Sequence, residues 1–204
     1  MLDIILGVLL LVIAYVMGSI PFGLIVGKMW AKVDVRQHGS GNIGVSNVFR
    51  TIGPLPAVVV LAFDAGKGAL PVLLAVQVFP DSIWGLATGI AAIIGHNWPA
   101  FLRFKGGRGV ATTIGVILTL SPIVALILFV LWVITLAVSR YISLASMIAA
   151  LAFPLLVYFW RISGTYLALS ILISVFVIYR HRPNIQRLLA GTEYKIGEKA
   201  RPNE

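Results

Sequence analysis

Five stretches of this chain contain no Asp, Glu, Lys or Arg: residues 4–27, 82–102, 109–139, 141–160 and 162–179. A sixth, 51–80, is interrupted only by Asp64 and Lys67. A helix needs about 20 apolar residues to cross the hydrocarbon core of a bilayer. The runs are continuous Leu, Ile, Val and Ala rather than alternating, which argues for helices over a barrel. Hydrophobic residues make up 59% of the chain and charged residues 11%, where a soluble domain carries about a quarter charged. The mean hydropathy of +1.00 agrees. Lipid is therefore the expected solvent for most of the surface. The early residues lack the basic region that opens a cleaved signal peptide, since the first charge is Asp3.

The run 109–139 is too long for one upright helix, at roughly 45 Å. Ser121-Pro122 divides it, and proline either kinks a helix or starts a new one. One helix gives six crossings and two give seven. Positive charge chooses between them. Lys28, Lys32, Arg36 and Arg50 lie in 28–50, Arg103, Lys105 and Arg108 in 103–108, and Arg140 stands between two runs. The tail from Arg180 carries six Lys/Arg. Seven crossings place all of these on one face, with only Arg161 in an outer loop. The expectation is a single all-α integral membrane domain, 1–204, of seven transmembrane helices. Its N-terminus is outside and its C-terminus cytoplasmic. Segments 28–50, 103–109, 139–143 and 180–204 lie on the cytoplasmic side.

Two inner segments could hold anions. In Gly39-Ser40-Gly41-Asn42-Ile43-Gly44-Val45-Ser46-Asn47, glycines alternate with hydroxyl and amide residues, and Arg36 and Arg50 flank them. Such backbone can offer successive N–H groups to phosphate. Lys105-Gly106-Gly107-Arg108-Gly109 repeats the theme just before a helical run. Each loop alone serves equally as a basic anchor. Together they suit a ligand with two anionic groups, or two anionic ligands. His96, in Gly95-His96-Asn97-Trp98-Pro99, is an intramembrane polar candidate. Asp64 and Lys67 share a helix face and read as a structural ion pair. Ser143 and Ser146 place hydroxyls near Arg140. His181 and Asn184 add polar groups that a headgroup anchor does not need.

Several chemistries are excluded. Cysteine is absent, so there is no thiolate nucleophile. The few inner acids leave no multi-carboxylate magnesium site. No metal or other cofactor is called for. A His with Asp five residues on is missing, because those positions are Ile43, Phe101 and Gln186. No basic stretch interleaved with aromatics suggests nucleic acid, and the charge of +9 instead points to anionic headgroups. Any reaction should use an activated substrate, positioning and charge stabilisation.

These motifs, with Gly18-Ser19-Ile20-Pro21-Phe22-Gly23, Asp64-Ala65-Gly66-Lys67-Gly68 and His181-Arg182-Pro183-Asn184-Ile185 through Gly191-Thr192-Glu193, resemble the PlsY family of bacterial acyl-phosphate-dependent glycerol-3-phosphate acyltransferases. The resemblance covers nearly the whole chain. It implies a multi-pass protein of the bacterial cell (inner) membrane with a cytoplasmic active site. It implies acyl transfer from acyl phosphate to the 1-hydroxyl of sn-glycerol 3-phosphate, giving lysophosphatidic acid and phosphate for phospholipid synthesis. It also implies coupling to an enzyme that makes acyl phosphate. Ser40, Arg50, His181 and Asn184 become the catalytic candidates. Lys105 to Gly109 become the glycerol-phosphate site, and Glu193 a structural residue. Gly39, Gly41, Asn42, Gly44, Asn47, His96, Ser143 and Ser146 complete the substrate-binding candidates. Arg108 stands where the family usually has lysine, and Ser46 where threonine is common. A membrane transporter for a phosphorylated organic anion is the alternative.

Overall fold

The computed structural model describes residues 1–80, 82–160 and 162–198. The expected outer-loop Arg161 and the last two cations of the tail, Lys199 and Arg201, lie outside these. Among the described residues the regular structure is helical, with no strand.

Among the described residues the chain forms two compact units, residues 1–116 with 197–198, and residues 117–196. In the first, α1 (Leu2–Gly18), α2 (Phe22–Ala31), α3 (Val45–Ile52), α4 (Pro54–Val78) and α5 (Ile83–Asn97) are followed by the start of α6 (Val110–Leu120). The first apolar run is broken where one helix was expected. Ser19 caps α1, and Pro21 precedes α2. Proline supplies no N–H and its ring crowds the preceding turn, so the ladder restarts at Phe22. Helix α4 packs on α1, α2, α3 and α5, and α1 packs on α5. The α1–α5 contact is a backbone approach. A Cβ on Gly95 would lie 2.9 Å from Ser19 N, and one on Gly18 would run into Ala92. Small residues at this seam are how helices pack closely where lipid supplies no hydrophobic drive. Tyr15 Oη donates to the Trp98 carbonyl at 3.0 Å and pins the end of α5.

In the second unit, α7 (Pro122–Ser139), α8 (Ile142–Phe159) and α9 (Gly164–Arg180) pack in sequence, and α10 (Arg182–Leu189) follows a 55° bend. Pro122 sits at the first position of α7, where its missing N–H costs nothing. The ambiguous 109–139 run is therefore two helices, α6 and α7.

Leu2–Ala31, Pro54–Val78, Pro122–Ser139 and Ile142–Phe159 are long and apolar enough to cross a membrane, and the bent pair α9–α10 adds a fifth. Helices α5 and α6 are shorter, at 15 and 11 residues. The usual arrangement is inverted. Leu9, Val12, Leu55, Val58, Phe129 and Ile134 face outward, while Asn47, Asp64, Lys67, His96, Ser170 and Asn184 are buried. Polar groups inside and aliphatic groups outside make this a multi-pass membrane protein.

Candidate active site

The first polar loop rests on an apolar floor of Leu24, Val35, Val48 and Val60. It begins with a single turn, Val35–Gln37, capped by Asp34. Arg36 grips Asp34 with a fork, Nε to Oδ1 at 2.9 Å and Nη2 to Oδ2 at 2.6 Å. That hydrogen-bonded guanidinium draws the Asp34 carboxyl down to about 2. Arg36 is thus committed to its neighbour rather than offered to phosphate. Beyond it, Gly39 and Gly41 take left-handed backbone at φ 59° and 67°, which glycine adopts without a Cβ penalty.

Asn47, fully buried on α3, organises everything between. Its Oδ1 accepts from Ser40 N at 2.9 Å, and its Nδ2 reaches the carbonyls of Val35, His38 and Asn42 at 2.7, 3.1 and 2.8 Å. Asn42 Oδ1 accepts from Gly44 N at 2.8 Å, turning the chain into α3. Gly41 N donates to His38 O at 3.1 Å. The N–H groups of Ser40, Gly41 and Gly44 are therefore spent inside the loop. Ser40 Oγ is left. It is buried with no hydrogen-bond partner among the described residues. Arg50 lies in the last turn of α3, 8% exposed.

The glycine-rich loop 105–109 is folded onto the end of α5. Gly107 N donates to His96 O at 3.0 Å, and Gly106 N to Asn97 O at 3.2 Å. They satisfy carbonyls that a helix C-terminus leaves open. A Cβ on Gly107 would collide with the His96 ring, and one on Gly109 (φ 80°) would sit 2.9 Å from Asn97 Oδ1. The three glycines are needed for this approach. Lys105 is exposed and Arg108 partly so, which puts two cations at the start of α6.

Below this loop, Asp64 and Lys67 form the expected ion pair at 2.7 Å, both buried. Lys67 Nζ also donates to the Ile20 carbonyl at 2.7 Å and lies 5.6 Å from the Phe22 ring. It thereby binds the freed end of α1 at the α1–α2 break. Unforeseen was the pairing of His96 with Asp64, whose Oδ1 lies 3.7 Å from His96 Nδ1. Asp64 and His96 are far apart in sequence, and no spacing rule joins them. Asn97 was also missed. It is fully buried, and neither of its amide atoms has a hydrogen-bond partner among the described residues. Its place before Trp98-Pro99, where a helix must stop, was the one available signal.

The remaining candidates lie in the second unit. Glu193, 6% exposed, collects three donors. Ser143 Oγ reaches its Oε1 at 3.0 Å, Asn184 Nδ2 reaches the same oxygen at 2.8 Å, and Arg187 Nε reaches Oε2 at 2.7 Å. Gly191, at φ 69°, lets the chain turn after α10 toward α8. Ser146 Oγ donates to Ile142 O at 2.9 Å and accepts from Trp132 Nε1 at 3.2 Å. Ser143 and Ser146 thus have structural partners. His181 occupies the α9–α10 bend with Nδ1 2.8 Å from the Val177 carbonyl. A carbonyl only accepts, so Nδ1 carries a proton in this contact.

Comparison with known proteins adds an independent observation. A family model described as glycerol-3-phosphate acyltransferase matches residues 8–191. A glycerol-3-phosphate acyltransferase of Desulforamulus reducens is 44% identical over 192 residues, 94% of this chain and 96% of the relative. The crystal structure of PlsY, an integral membrane glycerol 3-phosphate acyltransferase, in its glycerol 3-phosphate form superposes with a TM-score of 0.90 at 42% identity. That match covers 94% of this chain and 96% of the other. The lysophosphatidic acid form of the same enzyme gives 0.87 at 41%, over 94% and 95%.

Proposed function

The chain belongs to the PlsY family of glycerol-3-phosphate acyltransferases, and from that premise we propose that its acyl donor is an acyl phosphate attacked directly by the 1-hydroxyl of sn-glycerol 3-phosphate. It is an integral membrane acyltransferase of lipid synthesis, which decides against the transporter alternative. The finer chemistry follows from what its side chains can do.

An acyl phosphate is a mixed anhydride with a good leaving group, so the protein need supply no nucleophile. Glycerol O1 forms a bond to the acyl carbon. The bond from that carbon to the phosphate oxygen breaks, and its electron pair leaves with phosphate. The hydroxyl proton passes to the departing phosphate. Ser40 and Arg50 stabilise charge on the acyl-phosphate group. Lys105 and Arg108 hold the glycerol phosphate at the start of α6. The single observation that carries this assignment is Ser40, whose hydroxyl is buried and unpartnered on a loop that Asn47 holds rigid. A preorganised donor of this kind is what charge stabilisation requires.

In the same reading the protein crosses the bilayer of the bacterial inner membrane seven times. Its N-terminus is outside, and its cationic loops and C-terminus are cytoplasmic. The segregation of Lys and Arg supports this. An enzyme that makes acyl phosphate supplies the donor.

The test is labelled glycerol 3-phosphate with acyl phosphate, run beside acyl-CoA, using protein in proteoliposomes. Lysophosphatidic acid should form from acyl phosphate alone. Its absence refutes the donor assignment, and an acyl-enzyme trapped without glycerol 3-phosphate refutes direct attack. Full activity of Arg50→Ala would remove Arg50 from the site.

A further inference from the structure

We propose that the turn Phe101–Lys105 docks on the headgroup layer of an anionic phospholipid leaflet, with Phe101 and Phe104 entering the interface and Arg103 meeting a lipid phosphate, and that this contact sets the position of Lys105. The inference rests on the acyltransferase reading above and deepens it by naming what steadies the same site.

A single turn, Ala100–Leu102, follows the end of α5. Leu102 N and Phe104 N both donate to the Pro99 carbonyl, at 3.1 and 3.0 Å, and Lys105 N donates to the Leu102 carbonyl at 3.1 Å. Leu102 packs on the apolar floor beneath the first polar loop. Its neighbours do the opposite. Phe101 is 60% exposed and Phe104 is 61% exposed. Arg103 between them is exposed, and its side chain makes no ion pair or hydrogen bond with the described residues.

The backbone adds a second observation. Arg103 and Phe104 are both left-handed, at φ 50° and 62°. Phenylalanine in that region is an outlier, because its Cβ crowds the following carbonyl. Such strain persists only where the surroundings over-determine it. Leu102 and the three backbone hydrogen bonds hold the turn from within. On the other side the described residues leave both rings uncovered. A headgroup layer supplies the missing support, since aromatic rings settle at that level and an arginine beside them reaches a phosphate.

Two features choose lipid over a protein partner. Leu55 and Val58 of the same unit are also exposed, so hydrocarbon already surrounds this part of the chain. The end of α2, whose Leu24 and Val26 belong to the same apolar floor, repeats the composition. Met29 is 81% and Trp30 53% exposed there, between exposed Lys28 and Lys32. Two copies meeting through such surfaces would oppose like charges. Lys105 follows directly, and Gly106 and Gly107 are already tied to carbonyls at the end of α5. The turn therefore decides where the Lys105 ammonium stands, which makes it a positioning element for glycerol phosphate.

Full-length protein in phosphatidylcholine vesicles, with or without about 30% phosphatidylglycerol, provides the test. An anionic surface repels glycerol 3-phosphate, so surface charge alone raises its apparent KM. The proposal expects the opposite sign. Phosphatidylglycerol should lower the wild-type KM for glycerol 3-phosphate by about threefold or more at nearly constant kcat. Arg103→Gln and Phe104→Gly should each abolish that gain. A wild-type KM that is unchanged or higher in the anionic vesicles overturns the proposal, as does a gain that either variant keeps.

Phe104→Gly also separates positioning from folding. Glycine takes left-handed backbone without a Cβ penalty. Its Tm in detergent should therefore equal or exceed wild type while its KM in anionic vesicles rises. A lower Tm in detergent means that protein, not lipid, holds the ring, which overturns the proposal. A phosphatidylglycerol effect that follows protein density at fixed lipid composition means that a second copy covers the turn, which overturns it too. Wild-type protein that makes no product in either vesicle refutes the donor assignment instead, so the two failures are distinct.

Discussion

Asn47 shows how much can depend on one amide. Its Oδ1 receives Ser40 N, and its Nδ2 faces three carbonyls. Asn47→Ala leaves those groups without their buried partner, each at about 1–3 kcal/mol if none is found. Asn47→Asp keeps the acceptor but turns a charged oxygen toward the carbonyls of Val35, His38 and Asn42. We expect Asn47→Asp to lower Tm more than Asn47→Ala, with turnover lost in both. A Tm for the aspartate variant equal to wild type would contradict this account of the loop. Asp34 titrates separately. Its carboxyl is drawn from 3.8 to about 2 by Arg36, so the native state favours the ionised form. That contribution is fully present above pH 3.8 and is lost as pH falls through 2. Asp34→Asn should therefore narrow the Tm difference between about pH 6 and pH 2.5. Activity near neutrality should scarcely change, since asparagine keeps a side-chain oxygen to accept from Arg36 N.

At the scale of elements, α4 is the tie of the first unit. Its buried Asp64–Lys67 pair holds the carbonyl of Ile20 at the α1–α2 break and lies beside His96 at the end of α5. Removing one partner strands the other, which costs about 3–5 kcal/mol when a buried pair is broken. Asp64→Ala should accordingly unfold far more readily than Asp64→Asn/Lys67→Met, measured by thermal unfolding in detergent. If the single and double variants match, the pair is not the tie described. Part of this was legible in advance. The i,i+3 spacing gave the ion pair, and the apolar runs gave α4, α7, α8 and α9. Pro122 gave the α6–α7 boundary. The break at Pro21 was not recognised, because an uninterrupted apolar run conceals it. The partners of Gly106 and Gly107 were also out of reach. Glycine before a helix suits an anion and suits close packing alike, and only the position of α5 decides between them. His96 with Asp64, and Glu193 with Ser143 and Asn184, meet through tertiary folding that no periodicity encodes.

For the whole molecule, the prominent property is polarity turned inward. The chain has no native cysteine, so single introduced thiols map its topology cleanly. On the seven-crossing proposal, Ser82→Cys and Ser163→Cys react with an impermeant maleimide added outside intact cells. Gln37→Cys and Ser139→Cys react only after permeabilisation. Labelling of Gln37→Cys from outside would reverse the orientation. The shortness of α6 sets a depth as well. Its 11 residues extend about 17 Å, against a hydrocarbon slab of about 30 Å. On that same proposal Ser121-Pro122 lies at the far interface, and Gly109 would stand well beneath the headgroup plane. With acyl phosphate as the proposed donor, the water-soluble substrate would come down to the lipid-borne one, and the reacting carbonyl need never be lifted out of the leaflet.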